Sequence, residues 1–289
     1  MNRTLSTIVV NGLLVLLAII SIAPLLWMLS VSFMQTGEAG HFPPPLLPAD
    51  AGLQNYRELF LKAGMGRFLF NSFLISSAVM LLSVLFNTLA GYAFAKLHFK
   101  GRDRTFRALL AALVIPGQVA MMPLFLLLKQ MGLVNTYMGA IVPGMAAIFG
   151  IFLVRQYARS IPDELLEAAR IDGAGEWRIF FQIVLPALKP ILVTLAIFSF
   201  LGAWNDFMWP LIVLSDESLQ TLPVALASLS REHVMDYELM MAGSVVTILP
   251  VLLLFLVLQR YYIEGFLSGS VSGSILDVEP WLALDLYPR

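Results

Sequence analysis

Six stretches of this 289-residue chain are apolar for long enough to cross a lipid bilayer, and that excludes most soluble folds. A spanning helix needs about 20 predominantly apolar residues. The runs lie at roughly Ile8–Phe33, Phe68–Phe94, Phe106–Leu128, Tyr137–Tyr157, Leu188–Leu214 and Met240–Tyr262. Inside lipid a backbone N–H or C=O finds no water, so such runs close their hydrogen bonds as helices. The expected class is therefore an all-α integral membrane protein with six transmembrane helices. Composition agrees: 59% of residues are hydrophobic, 13% are charged and mean hydropathy is +0.83. An ordinary soluble domain carries about 25% charged residues. The formal net charge of −1 offers no polycation for nucleic acid, and the absence of cysteine excludes disulfides and thiolate metal sites. His41, His98 and His233 fall in different segments, so no metal or histidine-based catalytic set is expected.

The first run has only Arg3 before it as a charge and no small-residue cleavage site after a short apolar core. It reads as a retained span rather than a removed signal. Gln35–Arg67, with Pro43-Pro44-Pro45 and Pro48, reads as an irregular loop closed by a short helix near Tyr56–Leu61. Pro116, Gly117 and Pro123 predict a kinked third span, and Gly139, Pro143, Gly144 and Gly150 loosen the fourth. Lys and Arg fix the orientation. One alternate set of loops and ends holds thirteen of the 18 cations: Arg3, Lys96, Lys100, Arg102, Arg104, Arg107, Arg155, Arg159, Arg170, Arg178, Lys189, Arg260 and Arg289. The other holds five, at Arg57, Lys62, Arg67, Lys129 and Arg231. The imbalance places both termini in the cytoplasm, together with the one long charged segment between spans four and five.

That segment, 161–190, reads IPDELLEAARIDGAGEWRIFFQIVLPALKP. Pro162 suits a first helical turn, and Asp163 and Glu164 complement the positive end of a helix dipole. Glu167 to Arg170 are good helix formers, and Gly173 and Gly175 interrupt before a second helical piece from Trp177 to Leu185. Leu166, Ala169, Arg170 and Gly173 recur at helical spacing. A helix–turn–helix of this kind is either an amphipathic linker or a docking element at the membrane surface.

Glu167-Ala168-Ala169, Gly173, Ile183, Leu185 and Pro186 meet the spacing of the EAA loop of ABC importer permeases, and the chain resembles that family. The run EAARIDGA with VLPALKP is similar to the carbohydrate-uptake branch, and most so to the second permease subunit of maltose-type transporters. Gly91-Tyr92-Ala93-Phe94-Ala95, Pro116-Gly117-Gln118, Gly132-Leu133-Val134-Asn135-Thr136 and Trp204-Asn205-Asp206-Phe207 extend the likeness. It covers roughly Tyr56 to Gly273. At 265–273, Leu267, Gly269, Val271 and Gly273 match the maltose-type C-terminal ending, but Ser268, Ser270 and Ser272 depart from it.

The resemblance implies a type I ABC importer fold. It divides the chain into a first helix and periplasmic loop (1–67), a permease core with the coupling loop 161–190 (68–273) and a C-terminal cytoplasmic tail (274–289). It implies a multi-pass subunit of the bacterial inner membrane that pairs with a second permease, two ATP-binding subunits and an extracytoplasmic solute-binding protein, and carries a carbohydrate. ATP and Mg would sit on the ATPase partners, and no glycine-rich phosphate loop is written in this chain. Glu167, Ala168, Ala169, Asp172 and Gly173 would couple to the ATPase. In this reading Glu167 bonds the turn or the partner, Ala168 and Ala169 allow close approach, Gly173 accommodates the turn, and Arg170 and Asp172 staple it.

Polar groups inside spans are costly and face a bundle interior or a wet cavity. Asn205 and Asp206, about 24 Å along the fifth span from Pro190, are candidates for a substrate path, with Trp204 next to them in sequence and Gln118 a weaker candidate that more readily bridges helices. Trp204 and Trp209 either stack on sugar rings or serve as interfacial or structural residues. Asn71, Ser72 and Asn87 are more readily helix-bridging groups. An ion-gradient-driven secondary transporter would want several midplane ionisable groups, and an intramembrane enzyme a catalytic set. The sequence displays neither.

Overall fold

A computed structural model describes residues 3–232 and 236–271, with side chains described over 7–229 and 236–256. Among the described residues every regular element is helical. In chain order these are α1 (Arg3–Val31), α2 (Gln54–Leu61), α3 (Met65–Lys96), α4 (Arg102–Ala112), α5 (Gly117–Gln130), α6 (Tyr137–Ile141) and α7 (Ile148–Ala158). There follow α8 (Asp163–Ile171), α9 (Glu176–Ile179), α10 (Leu185–Ala187), α11 (Lys189–Trp204), α12 (Met208–Val213), α13 (Leu222–Glu232) and α14 (Tyr237–Val271). Four segments are long and apolar enough to span: Thr7–Val31, Met65–Lys96, Tyr137–Ala158 and Tyr237–Leu256. Two bent pairs, α4 with α5 and α9–α10 with α11, raise the number to six if each is one span.

The kink expected in the third run is a full break. α4 and α5 meet at 107°, with Pro116 as the residue that caps α5. Proline supplies no N–H to a preceding turn, and its ring crowds the carbonyl four residues back. The fifth run is shorter than expected. α11 stops at Trp204, and Asn205–Phe207 form a break before α12, so Asp206 lies in that break and not within a helix. Before α11 the chain passes through a π-helical turn, Phe180–Val184, and bends by 78° where Pro186 and Pro190 remove two backbone donors. The fourth run is loosened as expected, α6 passing through a 3-10 turn at Val142–Gly144 into α7.

α3 shows how a membrane helix is sorted. Asn71, Ser72, Ser76, Ser83, Asn87 and Thr88 are all buried, whereas Phe70, Phe73, Leu81 and Leu85 are exposed. Lipid inverts the soluble pattern: apolar groups face outwards, and small polar groups pack and bond within the protein. α1 is exposed from Thr7 to Leu26, as a helix bathed in lipid can be, and reaches the protein interior only in its last turn, where Val31 is buried.

The chain divides into two compact units, one of residues 1–79, 116–145 and 200–252, the other of 80–115, 146–199 and 253–289. In the first, Asn55 Nδ2 donates to Ser32 O and Met34 O at 3.0 and 2.9 Å, and Glu38 accepts from Ala49 N. Asn71 Nδ2 donates to Ser218 O and Gln220 O while its Oδ1 accepts from Tyr137 Oη at 2.7 Å. In the second, Tyr92, Val154, Ala158, Ile161, Leu166, Ile179, Phe180 and Val184 form the buried apolar core. Asn87 bonds Ser83 Oγ and Ala147 N there, and the Arg155 guanidinium lies 4.0 Å above the Phe106 ring.

Candidate functional site

The 161–190 loop belongs wholly to the second unit. Pro162 caps α8 in an extended conformation, one position earlier than the helix start expected of it. Asp163 and Glu164 occupy the first turn and Arg170 the last, an arrangement that the helix dipole favours at both ends. Leu166 is buried at 1% exposure and seats the helix on its core, with Ala169 half-buried beside it. The opposite face is free: Leu165 is 48% exposed and Ile171 87%, with Glu167, Ala168 and Asp172 also exposed. Gly173 closes α8 in the left-handed region at φ +82°, its N–H bonding Arg170 O. Nothing lies within 4 Å of where a Cβ would stand. Within this chain the glycine is thus needed for its backbone angle rather than for space.

Hydrogen bonds fix the loop from within and from α3. Arg170 Nε donates to Glu176 Oε1 at 2.7 Å, joining the end of α8 to the start of α9. Glu176 Oε2 accepts from Tyr92 Oη at 3.0 Å. Lys96 Nζ donates to Ile161 O at 2.5 Å and to Asp163 Oδ1 at 2.6 Å. The Lys96 side chain is 4% exposed and that of Asp163 73%. The ammonium holds the Asp163 carboxyl below its ordinary range, first through the hydrogen bond and then through its charge. Glu176 likewise holds the Arg170 guanidinium above its ordinary value. The expected staple by Arg170 is present, but its partner is Glu176. Among the described residues Glu167 and Asp172 accept no hydrogen bond and present their carboxylates outwards. Ala169, Asp172, Ala174, Arg178, Ile179, Gln182 and Ile183 line a shallow cavity of about 260 Å³ on the loop.

The outer candidates resolve differently. Trp204 is 1% exposed, lies flat against Phe200 at 5.7 Å and donates its indole N–H to Thr247 O at 3.2 Å. Trp209 is 6% exposed and donates to Gly139 O at 3.0 Å. Both rings are structural, and neither face is free to receive a sugar. Asp206 Oδ1 accepts from Trp209 N in the first turn of α12, while Asn205 Nδ2 returns to Leu201 O. Gln118 is exposed in the first turn of α5 and bonds none of these residues. Asn71, Ser72 and Asn87 bridge segments, as their residue types suggested. Among the described residues no group of three or more His, Asp or Glu side chains stands where it could hold a metal.

Residues 87–265 match the family described as the binding-protein-dependent transport system inner membrane component. The chain belongs to this family. It is a permease, the membrane component of an ABC transporter, and the ion-gradient alternative finds no support among its relatives. An arabinooligosaccharide transport permease of Halalkalibacterium halodurans is 42% identical over 260 residues, 89% of this chain and 93% of its own length. The melibiose/raffinose/stachyose import permease of Bacillus subtilis is 36% identical over 274 residues, 94% of this chain and 99% of its own. A bacterial ABC transporter that imports the acidic polysaccharide alginate has the same fold in one chain, at TM-score 0.80 and 24% identity, over 91% of this permease and 99% of that chain.

The sequence missed Lys96, Tyr92 and Glu176 as a set. The available signal was a lysine at the apolar end of a span, four residues after a tyrosine, with an acid following Gly175 beyond the expected coupling helix.

Proposed function

We propose that this permease forms half of the translocation path of an ATP-driven carbohydrate importer, and that α8 is the joint through which the ATPase moves it. The observation that carries the reading is the free face of α8: exposed Leu165, Ala168 and Ile171 on a helix whose other side and both ends are fixed. Exposed apolar residues in water call for a partner. Small Ala168 lets that partner's backbone come close, with Ala169 packed behind it on the core side, Glu167 and Asp172 offer it exposed carboxylates, and the left-handed Gly173 sets the turn that presents them. The relatives' sugar and oligosaccharide cargoes support carbohydrate as the substrate class.

In this reading the subunit spans the inner membrane six times with both termini cytoplasmic. Its segments are 1–67, the core 68–273 and the tail 274–289, the last of which lies outside the described residues. It works with a second permease, two ATP-binding subunits that hold ATP and Mg, and an extracytoplasmic binding protein. Asn205 and Asp206 remain the substrate-path candidates, at the break after α11 where backbone groups turn away from helical bonding. The test is ATP hydrolysis and uptake by the reconstituted complex with its binding protein, comparing the intact chain with Glu167→Ala plus Gly173→Pro. Loss of stimulated hydrolysis in a complex that still assembles is expected. Uptake that runs without the ATPase and collapses with the ion gradient would overturn the reading.

A further inference from the structure

Two side chains one helical turn apart on α3 reach the two limbs of the 161–190 loop. Lys96 grips the entry to α8, at the carbonyl of Ile161 and the carboxylate of Asp163. Tyr92 grips Glu176, the first residue of α9, and Glu176 is in turn clasped by Arg170 from the end of α8. We propose that Tyr92 and Lys96 are positioning residues that lock both limbs of the loop to α3, making α3 a directly driven arm of the coupling movement. This rests on the reading of α8 as the joint to the ATPase.

The argument is one of relative stiffness. Along the chain, movement of α8 reaches α11 only through the Gly173–Gly175 turn, the π-helical turn and a 78° bend. The glycine turn is free to change its backbone angles, and the π-helical turn and the bend each interrupt the helical ladder that would carry a push along the chain. Across space, the route to α3 is short and charge-assisted. Lys96 is almost wholly buried and its one ammonium bonds both the Ile161 carbonyl and the Asp163 carboxylate, so separating the limb from α3 breaks two charge-assisted bonds at once. Packing reinforces the bonds. A Cβ on Gly91 would stand 2.6 Å from Val154, so α3 lies directly against α7, and the Tyr92 and Phe180 rings are 5.3 Å apart. α3 is one continuous helix from Met65 to Lys96, about 48 Å long at 1.5 Å per residue. A rigid element held at its end carries a displacement along its length.

The test uses the full reconstituted complex with its binding protein and measures substrate taken up per ATP hydrolysed. Tyr92→Phe combined with Lys96→Met leaves the outer face of α8 unchanged. Stimulated hydrolysis is expected to persist while uptake per ATP falls about tenfold, within the range of mutations that alter coupling without touching a ligand. Lys96→Arg, which keeps a buried donor cation, is expected to retain uptake per ATP within about twofold. An unchanged ratio in the double variant overturns the proposal. The chain has no cysteine, so spin labels on His98→Cys and Glu164→Cys, both exposed, give a second measurement that does not depend on the double variant assembling. One distance kept through the ATP cycle is expected, and a distance that changes between nucleotide-free and ATP-bound states overturns the lock. Failure of α8 as the joint is a separate result: Glu167→Ala plus Gly173→Pro would then leave uptake per ATP intact, whatever the α3 variants do.

Discussion

A methyl group at position 91 would sit 2.6 Å from the Val154 side chain and 3.0 Å from Arg155 N, closer than packed atoms allow. Gly91→Ala should therefore force α3 and α7 apart and cost about 1–3 kcal/mol, as overpacking of a filled interior does. It would be read as a lowered melting temperature of the purified complex. Gly173 makes the opposite case. The space around it is open, but its φ of +82° penalises any residue with a Cβ, by about 1–2 kcal/mol. Gly173→Ala should fray the end of α8, with Gly173→Asn milder because asparagine tolerates that region, and amide exchange of Asp172 to Ala174 measures the difference. The importance of Gly173 was legible in the sequence, but its reason was not, since spacing alone cannot tell a crowded glycine from a twisted one. The tryptophans were legible only as alternatives. Trp204 and Trp209 look the same in a sequence whether they face a sugar, a headgroup or a carbonyl, and only their burial against Phe200, Thr247 and Gly139 decides.

At the scale of the element, α8 is held by one buried leucine and two ionic clasps. Leu166→Ala removes the leucine from a site with 1% exposure and should cost about 2–5 kcal/mol, releasing the loop before the spans melt. Limited proteolysis within 161–180 would show it. Asp163 adds a pH dependence whose sign follows from its depressed titration. A carboxyl held below its ordinary range in the folded state stabilises wherever it is ionised, so its contribution is complete above the unfolded value, about 3.9, and is lost as pH falls through the lower folded value. The loop should thus be insensitive to pH between 7 and about 5 and should loosen only under stronger acid. Asp163→Asn should produce the same loosening at neutral pH, visible in faster amide exchange along α8. Proline and glycine mark the breaks around Pro116 and between Pro186 and Pro190, but nothing of the kind marks the break at 205–207. The 107° and 78° angles were beyond them, because a proline says that a ladder is interrupted and not where the next helix will pack. Likewise Lys96 counted in the sequence only as one more positive charge, since its partners stand 65 and 67 residues away.

For the whole molecule, the Lys96 and Arg170 that clasp α8 also count towards the charge bias from which an orientation is expected. Thirteen cations fall on one set of loops and ends and five on the other, and a cation is held back from crossing the bilayer by the cost of leaving water and by the membrane potential. The family and the all-helical class were legible because lipid and the coupling motif each impose a local pattern: a run of about 20 apolar residues, and a fixed spacing of Glu, Ala, Gly and Pro. Pairings across the chain leave no such pattern. Orientation sits between these extremes, as a summed bias that no single residue decides. The lack of cysteine makes it measurable one position at a time. Lys62→Cys, on the loop between α2 and α3, should react with a membrane-impermeant maleimide added to right-side-out vesicles, and Lys100→Cys, between α3 and α4, should react only once the vesicles are opened. Both side chains stand at exposed positions outside the helices, so a failure to label reports the side of the membrane rather than burial. Labelling in the reverse order would put α8 on the outside, away from ATP, and the coupling role of Glu167 and its neighbours would fall with it.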